Sequence, residues 1–158
     1  MPHLVWQERK HRCRKKNVKR AEDVWCIADT IIEWEPLATE AANLAYLCAS
    51  SSRELSHLET SCKRVSAKPA LIDALRGLYK AAESARLEAD AIVRSGKKEL
   101  ARINPHGVTG ELASECDTAL NEAIKSVKSM EFRLREAERD AKECARILNQ
   151  VEKGNTDG

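Results

Sequence analysis

The sequence predicts an all-α protein: an elongated antiparallel three-helix bundle with an additional N-terminal helical segment. Of its 158 residues, 42% are hydrophobic and 33% charged, but only 4% are aromatic and only six are glycine. This composition is typical of long helices and argues against a sandwich, a barrel or a doubly wound sheet. Apolar residues also recur at steps of three and four along three long stretches, as in helices that pack along a seam. At this length we expect one domain.

Three interruptions separate the predicted helices. They lie at Pro36, at Pro69 and within 104–110, where one proline and two glycines occur. Proline suits the first turn of a helix, because its missing amide hydrogen has no intrahelical partner there. The predicted organisation is a basic tail over 1–20, a helical bundle over 21–153 and a disordered tail over 154–158, with helices over about 21–66 (kinked at Pro36), 69–103 and 109–152.

Each predicted helix carries one apolar stripe. Within 17–34 the stripe is Val24, Ile27, Ile31 and Trp34. The first long helix is predicted to bury Leu37, Ala41, Leu44, Cys48, Ser51, Leu55, Leu58, Cys62 and Val65. The second should bury Leu71, Leu75, Leu78, Ala82, Ala85, Ala89, Ile92 and Gly96. The third should bury Cys116, Leu120, Ala123, Val127, Met130, Leu134, Ala137, Ala141, Cys144, Leu148 and Val151. Short connections make consecutive helices antiparallel, and at about 1.5 Å per residue the bundle should be a rod.

The excess of positive charge is concentrated in the N-terminal tail. The net charge is only +2, yet eight basic residues lie between Arg9 and Arg20. Such a run either neutralises phosphates of a nucleic acid or is a solvated terminus, and the lack of an aromatic stacking platform favours the second interpretation. We therefore do not expect nucleic acid as the main partner. The candidate partner contacts are Arg12, Lys15, Lys16 and the off-stripe Trp25, although packing of the N-terminal segment would also explain Trp25.

The six cysteines show no C-x-x-C pair and, with the four histidines, no zinc spacing, so no metal site is expected. If the turns lie near residues 67 and 106, each residue of the third long helix is level with the first-helix residue about 78 positions earlier. This places Cys144 near Cys62 and predicts a Cys62–Cys144 disulfide. If the N-terminal segment folds back at Pro36, Cys26 becomes the partner of Cys116. The alternative is that all are free thiols in small core spaces.

Signals of catalysis and of membrane insertion are missing from the sequence. No Ser-His-Asp order and no glycine loop for phosphate is found, so we predict no enzyme, no catalytic residue and no cofactor. No apolar run approaches the roughly 20 residues of a transmembrane helix. A location at the cell surface or outside the cell would require a signal and an anchor beyond this chain; otherwise the location would be cytoplasmic.

The chain resembles the helical-bundle surface proteins of African trypanosomes, which include the invariant surface glycoproteins and the haptoglobin-haemoglobin receptor. The resemblance covers about residues 20–152 and rests on three long helices rich in Ala, Glu and Lys, the turn Asn104-Pro105-His106-Gly107, the stretch Ala21-Glu22-Asp23-Val24-Trp25, and cysteines spaced to join helices near their ends. It carries over no individual functional residue.

The resemblance implies a non-enzymatic receptor ectodomain that presents a disulfide-stapled helical rod to a host macromolecule such as a serum protein. The alternative from another class is an intracellular helical scaffold with a basic tail that contacts nucleic acid. A homo-oligomer also stays open, because a heptad seam does not fix the identity of its partner.

Overall fold

The computed structural model describes residues 18–61, 68–103 and 108–156. These residues form four helices: α1 (Ala21–Glu33), α2 (Glu35–Ser61), α3 (Lys68–Ala101) and α4 (Ala113–Thr156). Within the described ranges 91% of the residues are helical and no strand occurs. The prediction of an all-α helical bundle is confirmed.

Several helix ends differ from the predicted ones, and α4 begins at Ala113 rather than at residue 109. The break between α1 and α2 falls at Trp34, whose amide donates to the Ile31 carbonyl at 3.1 Å, and Pro36 occupies the first turn of α2. At the other end, α4 continues to Thr156, although the sequence predicted a disordered tail from residue 154. The predicted helical stretch over 62–66 and the predicted tail over residues 1–17 lie outside the described residues.

The chain forms two compact units. Unit 1 consists of the described residues of Met1–Pro36 and Asp90–Phe132, and unit 2 of those of Leu37–Ala89 and Arg133–Gly158. One part of α3 and one part of α4 therefore belong to unit 1, and the other part of each helix belongs to unit 2.

In unit 1, α1 lies parallel to the first part of α4. The Cys116 thiol donates to the Ala21 carbonyl at 3.4 Å, and Ser126 Oγ donates to a Glu35 carboxylate oxygen at 3.0 Å. The last part of α3 runs antiparallel to α4, to which Lys97 is joined by an ion pair with Glu131 at 3.0 Å.

The chain between α3 and α4 pairs with the segment that precedes α1. Val18 donates its amide to the Arg102 carbonyl at 2.9 Å, and Thr109 donates to the Lys19 carbonyl at 2.8 Å. Thr109 in turn accepts a hydrogen bond from the Ala21 amide at 3.0 Å. Gly110 follows with φ +119°, in the left-handed region that favours glycine. The described residues at both ends of this connection are therefore held to the segment before α1 and to the first residue of α1 by backbone hydrogen bonds.

Unit 2 has a core that joins α2, the first part of α3 and the last part of α4. Its hydrophobic cluster consists of Cys48, Leu55, Ile72, Leu75, Cys144, Ile147, Leu148 and Val151. A second cluster contains only Ala42, Ala45 and Ala137, so small side chains let α2 approach α4 closely at that level. Arg76 Nε on α3 donates to Glu152 on α4 at 2.6 Å.

The predicted stripes are confirmed to different degrees. All eleven predicted positions of α4 are buried, as are Val24, Ile27, Ile31 and Trp34. In α2 most of the buried residues are small, and the buried stripe consists of Ala38, Ala41, Ala42, Ala45, Cys48, Ala49, Ser52 and Leu55. The predicted core residues Leu58 and Leu71 are 43% and 39% exposed. An alanine stripe permits closer helix contact than a leucine stripe, which explains why α2 turns its larger side chains outward.

Candidate binding site and its disulfide

Unit 2 contains a disulfide between Cys48 of α2 and Cys144 of α4. The two Cα atoms are 5.9 Å apart, and neither residue is exposed. This separation lies within the range that a disulfide requires. The predicted Cys62–Cys144 pairing is wrong, because Cys144 is bonded to Cys48; Cys62 itself lies outside the described residues.

The error arose from the level of α4 against α3, because the connection between them lies where it was predicted, between Ala101 and Ala113. Ion pairs Arg76–Glu152 and Lys97–Glu131 each join the two helices, and in both cases residue 114 lies midway between the partners in sequence. The predicted turn near residue 106 would put this midpoint near 106. In the structure Arg102 and Thr109 pair with the segment before α1, and the bonded cysteines are 96 residues apart instead of about 78.

Ser52 packs one helical turn after Cys48, beside the bridge. Its side chain is fully buried, its Oγ donates to the Cys48 carbonyl at 2.7 Å and lies 3.0 Å from Cys144 Sγ. A disulfide sulfur carries no hydrogen and is a weak acceptor, so the serine proton belongs to the carbonyl bond. Ser52 was not predicted to be buried, because the stripe predicted for α2 contained its neighbour Ser51.

The other two described cysteines are free thiols, so the expected Cys26–Cys116 pairing is not formed. Cys116 does reach α1, but it contacts Ala21 in the first turn, five residues before Cys26. Burial, and to a smaller extent the negative charge of Asp117, raise the pKa of the Cys116 thiol. Cys26 is half-buried on α1, and its carbonyl accepts a hydrogen bond from Thr30 Oγ1 at 2.7 Å.

An apolar groove, here called the leucine groove, lies between the end of α2 and the start of α3 in unit 2. It encloses about 350 Å³ and is lined by Ser51, Glu54, Leu55, Leu58, Leu71, Ala74, Leu75 and Leu78. Leu55 and Leu75 are buried and belong to the same cluster as the disulfide, whereas Leu58 and Leu71 form the half-exposed rim. Concave apolar surface with a few polar groups is the usual form of a binding site.

A second hollow of about 300 Å³ lies in unit 1, where α1 and α4 begin. It is lined by Arg20, Ala21, Glu22, Thr109, Gly110, Glu111 and Leu112. Arg20 and Glu22 form an exposed ion pair at 3.0 Å on its rim. An exposed ion pair of this kind contributes little to stability. The lining of this hollow is more polar than that of the leucine groove.

The predicted partner contacts have separate outcomes. Trp25 is half-buried on α1, and Arg12, Lys15 and Lys16 lie outside the described residues. Large apolar side chains that were not among the predicted contacts are also exposed, among them Tyr46, Leu47, Leu87 and Phe132. Phe132 could have been found from its spacing, since it lies two residues from both Met130 and Leu134 of the buried stripe and so faces the opposite side of α4.

Besides the pairs with α3, some charged residues of α4 form local pairs on its surface. Arg146 donates to both carboxylate oxygens of Glu143 at 3.1 and 2.8 Å. This hydrogen bonding is the main cause of the lowered pKa of Glu143. Within the described residues, no group of three or more His, Cys, Asp or Glu side chains is arranged to hold a metal ion, and no helix is long and apolar enough to cross a membrane.

No family of proteins, no curated protein and no solved structure matches this chain.

Proposed function

We propose that the chain is a non-enzymatic binding protein of an oxidising compartment, a cell-surface or extracellular receptor module that contacts a protein partner. The single observation that carries the proposal is the Cys48–Cys144 disulfide between α2 and α4. Disulfides persist in secreted and surface proteins and are rare where glutathione and thioredoxin keep thiols reduced. The resemblance to trypanosome surface proteins leads to a more specific form of this proposal, in which the partner is a host serum protein.

The alanine-rich interface of α2 explains why such a module would need a cross-link. Alanine buries little area per residue, and each missing buried CH₂ group forgoes about 0.8 kcal/mol of hydrophobic stabilisation. The disulfide closes a loop between residues 96 apart in sequence and limits the freedom of the unfolded chain. A stable bundle can then keep polar and apolar side chains on its surface for contact with a partner.

The leucine groove is the surface that we assign to the partner. Leu58 and Leu71 expose apolar area on its rim, and Glu54 places a carboxylate beside them. Burial of such half-exposed leucines against a partner is favourable, because it removes apolar area from water.

A thiol count tests the compartment. Thiols are blocked by alkylation in intact cells before lysis, and the protein is then unfolded without reductant and mapped by mass spectrometry. We expect Cys48 and Cys144 to escape alkylation and to appear as one linked peptide pair. Alkylation of all six cysteines would instead support the intracellular scaffold.

A serum-binding assay tests the surface. The immobilised wild-type protein should retain a serum protein that the variant L58E/L71E does not retain. The matched control is L47E/L87E, which adds the same two negative charges at exposed leucines of α2 and α3 outside the groove. Circular dichroism checks that all three proteins are folded. Equal retention by L58E/L71E would exclude the groove, and retention of no serum protein by the wild type would contradict the serum partner.

The intracellular alternative makes a different prediction. If the basic run from Arg9 to Arg20 contacts nucleic acid, binding should fall steeply with salt and should be lost when residues 1–20 are deleted. Nucleic-acid binding that is unchanged by this deletion would exclude the alternative.

A further inference from the structure

We infer that the Cys48–Cys144 disulfide makes the stability of unit 2 dependent on redox state, while unit 1 keeps its stability when the bridge is reduced. Both cysteines and the hydrophobic cluster around them belong to unit 2. In the described part of unit 1 the two cysteines, Cys26 and Cys116, are free.

The bridge affects the two units differently. It restricts only those partly unfolded states in which Cys48 and Cys144 would otherwise move apart. When unit 2 opens, Cys48 on α2 can leave Cys144 on α4 only if the bond is reduced, so the bridge restricts that open state. When unit 1 opens and unit 2 stays folded, the two cysteines are held together with or without the bond. Reduction therefore favours opening of unit 2 and leaves opening of unit 1 unchanged.

Packing around the bridge should also make unit 2 less stable after reduction. Ala42, Ala45 and Ala137 bring α2 close to α4, and Ser52 Oγ lies 3.0 Å from Cys144 Sγ. Two separate thiols cannot approach as closely as two bonded sulfur atoms. In an interface this closely packed, the reduced cysteines must push α2 and α4 apart or move from their rotamers.

The redox step needs an external dithiol. One thiolate of the reductant attacks a disulfide sulfur to form a mixed disulfide, and its second thiol then closes the reductant's own disulfide. Two electrons and two protons pass to Cys48 and Cys144, which become thiols. Since neither cysteine is exposed, the attack requires prior opening of unit 2, and its rate reports how often that opening occurs.

Hydrogen exchange measured by mass spectrometry tests the inference on the full chain. Dithiothreitol is used as the dithiol, and complete reduction is verified by alkylation of Cys48 and Cys144. We expect peptides within 37–58, 69–89 and 133–153 to exchange at least about tenfold faster after reduction. Peptides within 21–36, 90–101 and 113–132 should change by less than about twofold.

Two variants control the measurement. The variant C48S/C144S should show the fast exchange of unit 2 without reductant and should not respond to dithiothreitol. The variant C26S keeps the bridge and should respond like the wild type. If C48S/C144S does not fold, the reduced wild-type protein still decides the question. Equal acceleration in both units, no acceleration in unit 2, or loss of all helical circular dichroism on reduction would each overturn the inference.

Discussion

Ser52 Oγ lies 3.0 Å from Cys144 Sγ while it donates its proton to the Cys48 carbonyl at 2.7 Å. The serine thus occupies the small space between the two helices that the disulfide joins. The hydroxyl forms its hydrogen bond within its own helix. Position 52 therefore requires a small side chain, but not one that can form a hydrogen bond to α4.

Substitutions at Ser52 should therefore be ranked by size. S52A should change the free energy of unfolding by less than about 1 kcal/mol, because the lost hydrogen bond is offset by better helix propensity. S52L should destabilise by about 1–3 kcal/mol or more, because the larger side chain overfills a packed interface. Urea unfolding of both variants measures the two values. A larger loss for S52A than for S52L would contradict this account of the site.

Loss of the disulfide should lower the free energy of unfolding by about 2–4 kcal/mol, the usual range for a bridge that closes a long loop. The measurement compares C48A/C144A with the wild type by urea unfolding without reductant. C26A is the control, since Cys26 is half-buried and unbridged, and it should cost less than C48A/C144A. Equal stability of C48A/C144A and the wild type would show that the bridge does not stabilise the bundle.

Gly96 should accept alanine with a gain in stability. A Cβ atom there would lie 3.6 Å from Ile31 Cγ1 and 3.8 Å from Val127 Cγ2, which are ordinary contact distances. G96A should stabilise the protein by about 0.5–1 kcal/mol, because alanine has the better helix propensity. G77A is the matched control, since nothing lies within 4 Å of its added Cβ. Thermal unfolding measures both, and a destabilised G96A with a stabilised G77A would show that the space at Gly96 is smaller than the structure indicates.

The buried thiol of Cys116 should make the stability of the protein fall at alkaline pH. Burial raises its pKa in the folded state, so the folded protein keeps the thiol proton after the unfolded chain has lost its own. The free energy of unfolding should therefore decrease as pH rises past the ordinary thiol pKa of about 8.5, by at most about 1.4 kcal/mol per pH unit for this one proton. C116A should show a smaller decrease. Unfolding by urea at a series of pH values measures the slopes, and identical slopes would contradict the assignment.

Removal of Arg102 alone should lower the free energy of unfolding, because its ion-pair partner Glu99 would stay buried without it. Glu99 is 5% exposed, and its partner Arg102 lies three residues later, directly after the end of α3. R102A leaves a carboxylate with little access to water and should cost about 1–3 kcal/mol, less than for a fully buried pair because the Arg102 side chain is partly exposed. The double variant R102A/E99Q should recover part of this loss in urea unfolding. No recovery would show that Arg102 acts through its packing.

Local sequence pattern predicted the fold class and most of the core, because the apolar period of a helix reflects which side of that helix faces its neighbours. The prediction held for every stripe residue of α4 and for Val24, Ile27, Ile31 and Trp34. It was less accurate in α2, where alanines and leucines are both apolar and only contact with α4 determines which of them are buried. Leu58 of α2, predicted as core, is half-exposed on the rim of the leucine groove for that reason. Leu71, also predicted as core, lies on the same rim at the start of α3.

The amino-acid sequence alone determined that this chain is a bundle of long helices with cysteines on its buried stripes. Only the tertiary structure decided which cysteines meet. Periodicity is a property of each helix by itself, whereas the level of one helix against another depends on the path of the chain between them. Here that path pairs with residues 18–20 before α4 begins, and this places Cys144 beside Cys48.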